Sequence, residues 1–269
     1  MTITADDLAA AGLHLDSSDA VATVTLDRPA VRNAQTPAMW HALAVIGEQL
    51  PDTVRVVVVR GAGSSFSAGL DRAMLDPGQS DVAGLLQLDD EAISTAIDGY
   101  QQGFTWLRDP RFISIAAVQG YAIGAGFQLA LSCDLRVVAD DAQLSMKEPA
   151  LGLVPDLTGT KPLVEAVGYQ RALEICATTR MVGAEEAVDI GLALTAVPAD
   201  RLDATVADLA QALTTNVAGA VSETKRLLQS AVEQDLETQR RLEREAQTRR
   251  FRELAPLMQS PPPQTEKQE

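Results

Sequence analysis

Glu148 and Gln128 are the side chains whose type and setting first suggest chemistry. A carboxylate exchanges protons and an amide orients its neighbours. Both follow a stretch punctuated by Gly120, Gly124 and Gly126, and glycine at such spacing permits tight turns and close backbone approach by a ligand. Before the turn, Ile113 to Val118 is rich in β-branched and small apolar residues, as suits a buried strand. After it, Phe127 to Cys133 is expected to be helical. A helix N-terminus behind a glycine turn offers unpaired N–H groups and a positive dipole end, which together can hold an oxygen acquiring negative charge. Gln128 falls one residue into the expected helix, and Glu148 follows 20 residues later, after a further strand. Both can then face one pocket whose wall donates hydrogen bonds. The same pattern also suits a buried βαβ packing element whose glycines only let helix and strand approach.

The elements that must position these residues can be followed along the chain. Residues 1–19 have weak periodicity and read as a polar lead-in, after which Ala20 to Asp27 alternates as a strand. Arg28, Pro29, Arg32 and Asn33 form a loop with two cations. Thr36 and Pro37 supply a cap and a first-turn proline for a helix to about Leu50. Val54 to Arg60 is apolar throughout, as expected of a strand covered on both faces. Gly61 to Leu75 is a small-residue loop passing into a helix, residues 76–91 carry little pattern, and a helix spans about Glu91 to Leu107. Beyond Glu148, helices are expected from Gly159, over Tyr169 to Thr178, and over Ala184 to Asp189, with a brief strand at Ala193 to Val197. From Leu202 onward the chain reads helical, ending in a polar, proline-bearing tail expected to be disordered. Strands early and helices late predict an α/β core with a helical C-terminal extension.

Composition narrows the function classes. Of the 269 residues, 46% are hydrophobic and only 4% aromatic, so the core should be aliphatic. The net charge of −15 opposes nucleic acid and anionic membrane surfaces. Cys133 and Cys176 have neither metal spacing nor the density of a secreted scaffold, and His14 and His41 are too few for a zinc site or a Ser-His-Asp triad. No metal is expected. The first residues lack a basic start and no apolar run reaches membrane length, so a cytoplasmic location is expected.

Four segments resemble the crotonase family, also called the enoyl-CoA hydratase/isomerase family. They are LDRPAVRNA at 26–34, SSFSAGLDRAM at 64–74, QGYAIGAGFQLALSCDLRVVADDAQL at 119–144 and KEPALGLVPDLTGT at 147–160. Their order and intervals match as well as their letters. The resemblance implies a spiral core of repeated ββα turns over residues 1–200, a trimerisation region of helices over 201–255 and a tail over 256–269. It further implies a homotrimer or dimer of trimers, an acyl-CoA substrate that itself carries coenzyme A, and no permanently bound cofactor.

Carried over by position, the family's oxyanion hole falls on the backbone N–H groups of Leu70 and Ala125. Arg32, Asn33 and Ala34, with Ala68 opposite, would border the CoA nucleotide; read from residue type alone, Arg28 and Arg32 suit phosphate partners or a plain surface loop. Hydratases of the family carry two glutamates at the positions of Gln128 and Glu148, and an amide exchanges no proton at neutral pH. That departure favours double-bond isomerisation with Glu148 as the shuttle. Hydration with one carboxylate, or acyl-CoA binding without chemistry, are the alternatives. The segment from Lys147 to Thr160 also resembles dienoyl-CoA isomerases, which makes Asp156 either a site residue or the cap of the following helix.

Overall fold

The computed structural model describes residues 3–75 and 81–259. The chain begins with α1 (Ala5–Ala10), β1 (Leu13–Ser18) and β2 (Val21–Leu26), then α2 (Pro37–Gln49) and β3 (Val56–Gly61). Next come α3 (Asp81–Leu85), α4 (Asp90–Thr105), β4 (Ile113–Val118), β5 (Tyr121–Ile123) and α5 (Ala125–Ser132). There follow β6 (Leu135–Ala139), β7 (Gln143–Ser145), α6 (Thr160–Thr178), β8 (Val182–Gly183), α7 (Ala184–Asp189) and β9 (Thr195–Val197). Three helices close the chain: α8 (Leu202–Thr214), α9 (Ala218–Ala231) and α10 (Leu236–Gln259).

Residues 1–215 and 216–269 form two units. In the first, a six-stranded sheet runs β1-β2-β3-β4-β6-β9, antiparallel only at its β1–β2 edge. A smaller sheet runs β5-β7-β8, and an isolated parallel bridge between Ser67 and Ala122 lays the segment after β3 beside β5. The chain thus passes repeatedly from the large sheet to the small one and back. On β3, Val57 and Val59 join the main core with Leu43 and Ile46 of α2, while Val56 and Val58 pack on the other face with Leu202, Val206 and Ala210 of α8. Cover on both faces explains why this strand is apolar without alternation. Each fully buried aliphatic side chain there contributes about 1.5–3 kcal/mol.

Several local expectations need correction. Residues 1–19 are not a featureless lead-in. Thr4 and Asp7 form a reciprocal capping box on α1, and β1 pairs with β2 along its length. Beyond Leu13 and Leu15, β1 carries only polar residues at the sheet edge, so its alternation is faint. α5 starts at Ala125, two residues before the expected Phe127, which makes Gln128 its fourth residue. The two segments expected over 159–178 are both present within α6, as helices that meet at a kink at Gly168, whose φ of 76° and ψ of 160° are not helical. The first unit includes α8, which packs on β3, β4 and β6.

In the second unit, Arg249 of α10 makes a two-pronged ion pair with Glu223 of α9 at 2.8 and 3.2 Å. The Gln239 amide donates to the Leu227 carbonyl at 3.0 Å. α10 continues through Pro256 to Gln259, past the expected start of the tail; the rest of that tail lies outside the described residues, as do residues 76–80. Among the described residues, no helix is long and apolar enough to cross a membrane.

Candidate active site

The site is built where β5, β7 and the segment after β3 meet the N-terminus of α5. Gly124 connects β5 to α5 with φ 52° and ψ −119°, a conformation that favours glycine. Its N–H donates to the Ser145 carbonyl of β7 at 2.8 Å. Two residues past β7, Lys147 leads into a single 3-10 turn, Glu148–Leu151, that carries Glu148. The Lys147 ammonium and the Ser145 hydroxyl both donate to the Thr179 carbonyl, anchoring this approach to the end of α6. A methyl group placed on Gly124 would lie 3.3 Å from Glu148 Oε1, so the carboxyl group sits directly over the turn.

Gln128 faces the same carboxyl group from within α5. Its Nε2 donates to Glu148 Oε1 at 2.6 Å, while its Oε1 accepts the N–H groups of Leu157 at 2.9 Å and Gly159 at 3.2 Å. The side-chain oxygen is therefore committed to the backbone, and one N–H is committed to Glu148. Gln128 is fully buried and Glu148 only 9% exposed, and Glu148 Oε2 is buried without a hydrogen-bond partner. Burial pushes the Glu148 carboxyl above the ordinary carboxylate range; the Gln128 N–H opposes that shift and the charge of Asp156 adds to it.

Asp156 is likewise pushed up by burial. It does not cap the next helix: Gly159 is the N-cap of α6, with no side-chain cap hydrogen bond. Its carbonyl accepts from Gln101 Nε2 of α4 at 2.7 Å. A cavity of about 430 Å³ runs along the same face of α4, where Ile93, Ile97 and Gln101 form part of its wall.

The Gly69–Leu70 backbone lies against the start of α5. A methyl on Gly69, whose φ is 89°, would come within 2.5 Å of the Ile123 carbonyl oxygen and 3.5 Å of the Ala125 nitrogen. Ala125 is the first residue of α5, so its N–H has no acceptor within the helix. Its φ is not positive, so the methyl group at this position leaves the backbone unstrained. Among the described residues, neither the Leu70 nor the Ala125 N–H has a hydrogen-bond acceptor.

The cationic loop divides into two roles. Arg28 Nη1 donates to the Ala34 carbonyl at 2.6 Å and pairs with Asp71 at 2.9 Å, so this guanidinium braces the loop. The Asn33 side chain is also consumed internally: Nδ2 donates to the Ala62 and Ser65 carbonyls and Oδ1 accepts the Arg28 N–H. These contacts commit the Asn33 side chain and the Nη1 of Arg28 to the loop itself. Arg32, at φ 51°, instead lies exposed with its guanidinium 5.5 Å from the ring centre of Tyr121. Its carbonyl accepts the Ala68 N–H at 2.8 Å, and Ala34 is buried behind it.

Sequence reasoning missed Gln35, Ser67, Gln101 and Tyr121. The only signal for Tyr121 was an aromatic residue inside a glycine-rich turn, and for the polar residues none was present in periodicity.

A chain that winds repeatedly between two sheets has the crotonase fold. The enoyl-CoA hydratase/isomerase family model matches residues 16–256, and the chain belongs to that family. A crystal structure of a Thermobifida fusca protein in complex with acetoacetyl-CoA is 52% identical, with a TM-score of 0.91 over 94% of this chain and 100% of that one. The short-chain-enoyl-CoA hydratase of Clostridium acetobutylicum is 30% identical over 241 residues, 86% of either chain. The (E)-benzylidenesuccinyl-CoA hydratase of Thauera aromatica is 32% identical over 210 residues, 77% of this chain and 76% of its own. The family is one of enzymes, which weighs against the alternative of binding without chemistry.

Proposed function

We propose that the protein shifts a double bond in an enoyl-CoA thioester, with Glu148 as the single proton carrier. The thioester oxygen would be held by the Leu70 and Ala125 N–H groups. The Glu148 carboxylate takes a proton from the α-carbon of a 3-enoyl-CoA, and the released electron pair delocalises onto that oxygen as a dienolate. The same carboxyl group then returns the proton to the γ-carbon, giving the 2-enoyl-CoA. Gln128 is a positioning residue here: its amide holds one oxygen of Glu148 and leaves Oε2 to face the substrate. That division of the carboxyl group is the observation carrying the reading. An acyl chain would extend along α4 toward Ile93 and Ile97, Arg32 would meet the CoA phosphates, and Asn33, Ala34 and Ala68 would border the nucleotide by their backbone. Asp156, half-buried and raised in pKa, would add charge control over Glu148. Exposed Leu228, Val232, Leu236 and Phe251 support a trimer contact on α9 and α10.

Purified enzyme should convert 3-enoyl-CoA or dienoyl-CoA substrates, and Glu148→Gln should abolish conversion. Normal turnover by that variant would overturn the reading. Hydration is the second reading, favoured by relatives named as hydratases. Rapid addition of water to crotonyl-CoA without any bond shift would establish it instead.

A further inference from the structure

A chain of buried polar groups reaches the Gly69–Leu70 backbone through Ser67. Gln35 and Ser67 are both fully buried. The Trp40 indole N–H donates to Gln35 Oε1 at 2.8 Å, and Gln35 Nε2 donates to Ser67 Oγ at 3.1 Å. The Ser67 hydroxyl donates onward to the Asn33 carbonyl at 2.7 Å and accepts the Gly69 N–H at 3.2 Å. Trp40 is itself held by the rings of Tyr100 and Phe104, at centroid distances of 5.1 and 6.3 Å. Each polar atom of this chain has a partner, so it has the rigidity of a fully satisfied buried network.

The backbone of Gln35 completes the arrangement. It forms an isolated parallel bridge to Leu70: the Gln35 N–H donates to the Gly69 carbonyl at 2.7 Å and the Gln35 carbonyl accepts the Asp71 N–H at 2.8 Å. Across a trans peptide the carbonyl of one residue and the N–H of the next point to opposite sides. With the Gly69 carbonyl turned toward Gln35, the Leu70 N–H points away from it, in a Gly69–Leu70 backbone that lies against the start of α5. The side chain of Gln35 then fixes the same segment a second time, through Ser67.

We propose that Gln35 is a positioning residue that aims the Leu70 N–H at the thioester oxygen. The proposal rests on the oxyanion-hole reading above, and it adds that the aim depends on a side chain outside the pocket. Mis-aiming one donor weakens binding of a thioester carbonyl on the order of tenfold or more, yet leaves a ligand without that carbonyl unaffected.

The test compares the affinities of acetoacetyl-CoA and free CoA in wild type and Gln35→Leu by titration calorimetry, with thermal unfolding alongside. Wild type should prefer acetoacetyl-CoA, and Gln35→Leu should lose that preference about tenfold while its CoA affinity stays unchanged. kcat on the enoyl-CoA substrate should fall with it. If wild type shows no preference, the oxyanion-hole reading fails. If wild type prefers acetoacetyl-CoA and Gln35→Leu keeps the full preference, only the role of Gln35 fails. A purely structural role would lower the melting temperature and both affinities together, which also overturns the proposal. Should Gln35→Leu misfold because the Trp40 indole is orphaned, Gln35→Leu with Trp40→Phe removes both ends of that bond and is read by the same ratio.

Discussion

Gln128 Nε2 and Glu148 Oε1 are 2.6 Å apart, and the amide that makes this contact is held from behind by two backbone N–H groups. The contact spans α5 and the turn after β7, so it locks the only partnered oxygen of the carboxyl group to the helix that bears the Ala125 N–H. One consequence follows for each partner.

Gln128→Glu should place a second carboxyl group where the amide donor stood. Two carboxylates at this separation do not both ionise near neutrality, so one keeps a proton and the apparent pKa of the pair rises. Isomerisation at neutral pH should fall severalfold, its ascending pH limb should move to higher pH, and hydration of crotonyl-CoA should rise above wild type. Parallel assays over a pH series check all three.

Glu148→Gln should lower kcat by roughly 10²-fold or more while acyl-CoA binding persists, since it removes the proton carrier and keeps the shape. The same variant reports on stability. The folded pKa of Glu148 lies above its ordinary value of 4.5, so its contribution to stability is full below that value and is lost as pH rises through the raised one. The melting temperature of Glu148→Gln should therefore gain on wild type as pH rises from below 4.5 through the raised pKa. For a chain of this size each kcal/mol is worth about 2–4 °C, and calorimetry at both ends of the range reads the difference.

Arg32→Ala should raise the Kd for CoA roughly tenfold, the worth of one charge-assisted hydrogen bond of about 1.5 kcal/mol, with kcat unchanged. Arg28→Ala should instead lower the melting temperature, because it removes the Asp71 pair and the bond to the Ala34 carbonyl. Binding and melting curves on the two variants separate the roles.

Gly124→Ala should destabilise the fold by about 1–3 kcal/mol, the cost of a side chain at such a backbone conformation. Its methyl would also press within 3.3 Å of Glu148 Oε1, so kcat should fall as well. Denaturant titration and steady-state kinetics measure the two effects.

Much of the fold could be read from the chain because its strands are either uniformly apolar, like Val56 to Val59, or alternate over a core. Glu148 and the glycine turn stood out because a carboxylate and φ-permissive residues are rare in apolar surroundings. The capped α1 and edge strand β1 were lost because few of their residues are buried. The inward use of Arg28 and Asn33 was hidden too, since a cation and an amide in a loop look alike whether they brace the backbone or meet a ligand. Gln35 and Ser67 gave no signal because their partners lie on three separate segments.

Turnover of a 3-enoyl-CoA in deuterated water tests the single-carrier account most directly. A sheltered carboxyl group that lifts the α-proton and sets it down again should leave much of the γ-carbon product carrying the original hydrogen, and Glu148→Gln should form no product. A γ-carbon fully deuterated from the first turnover, or product formed by Glu148→Gln at the wild-type rate, would contradict it.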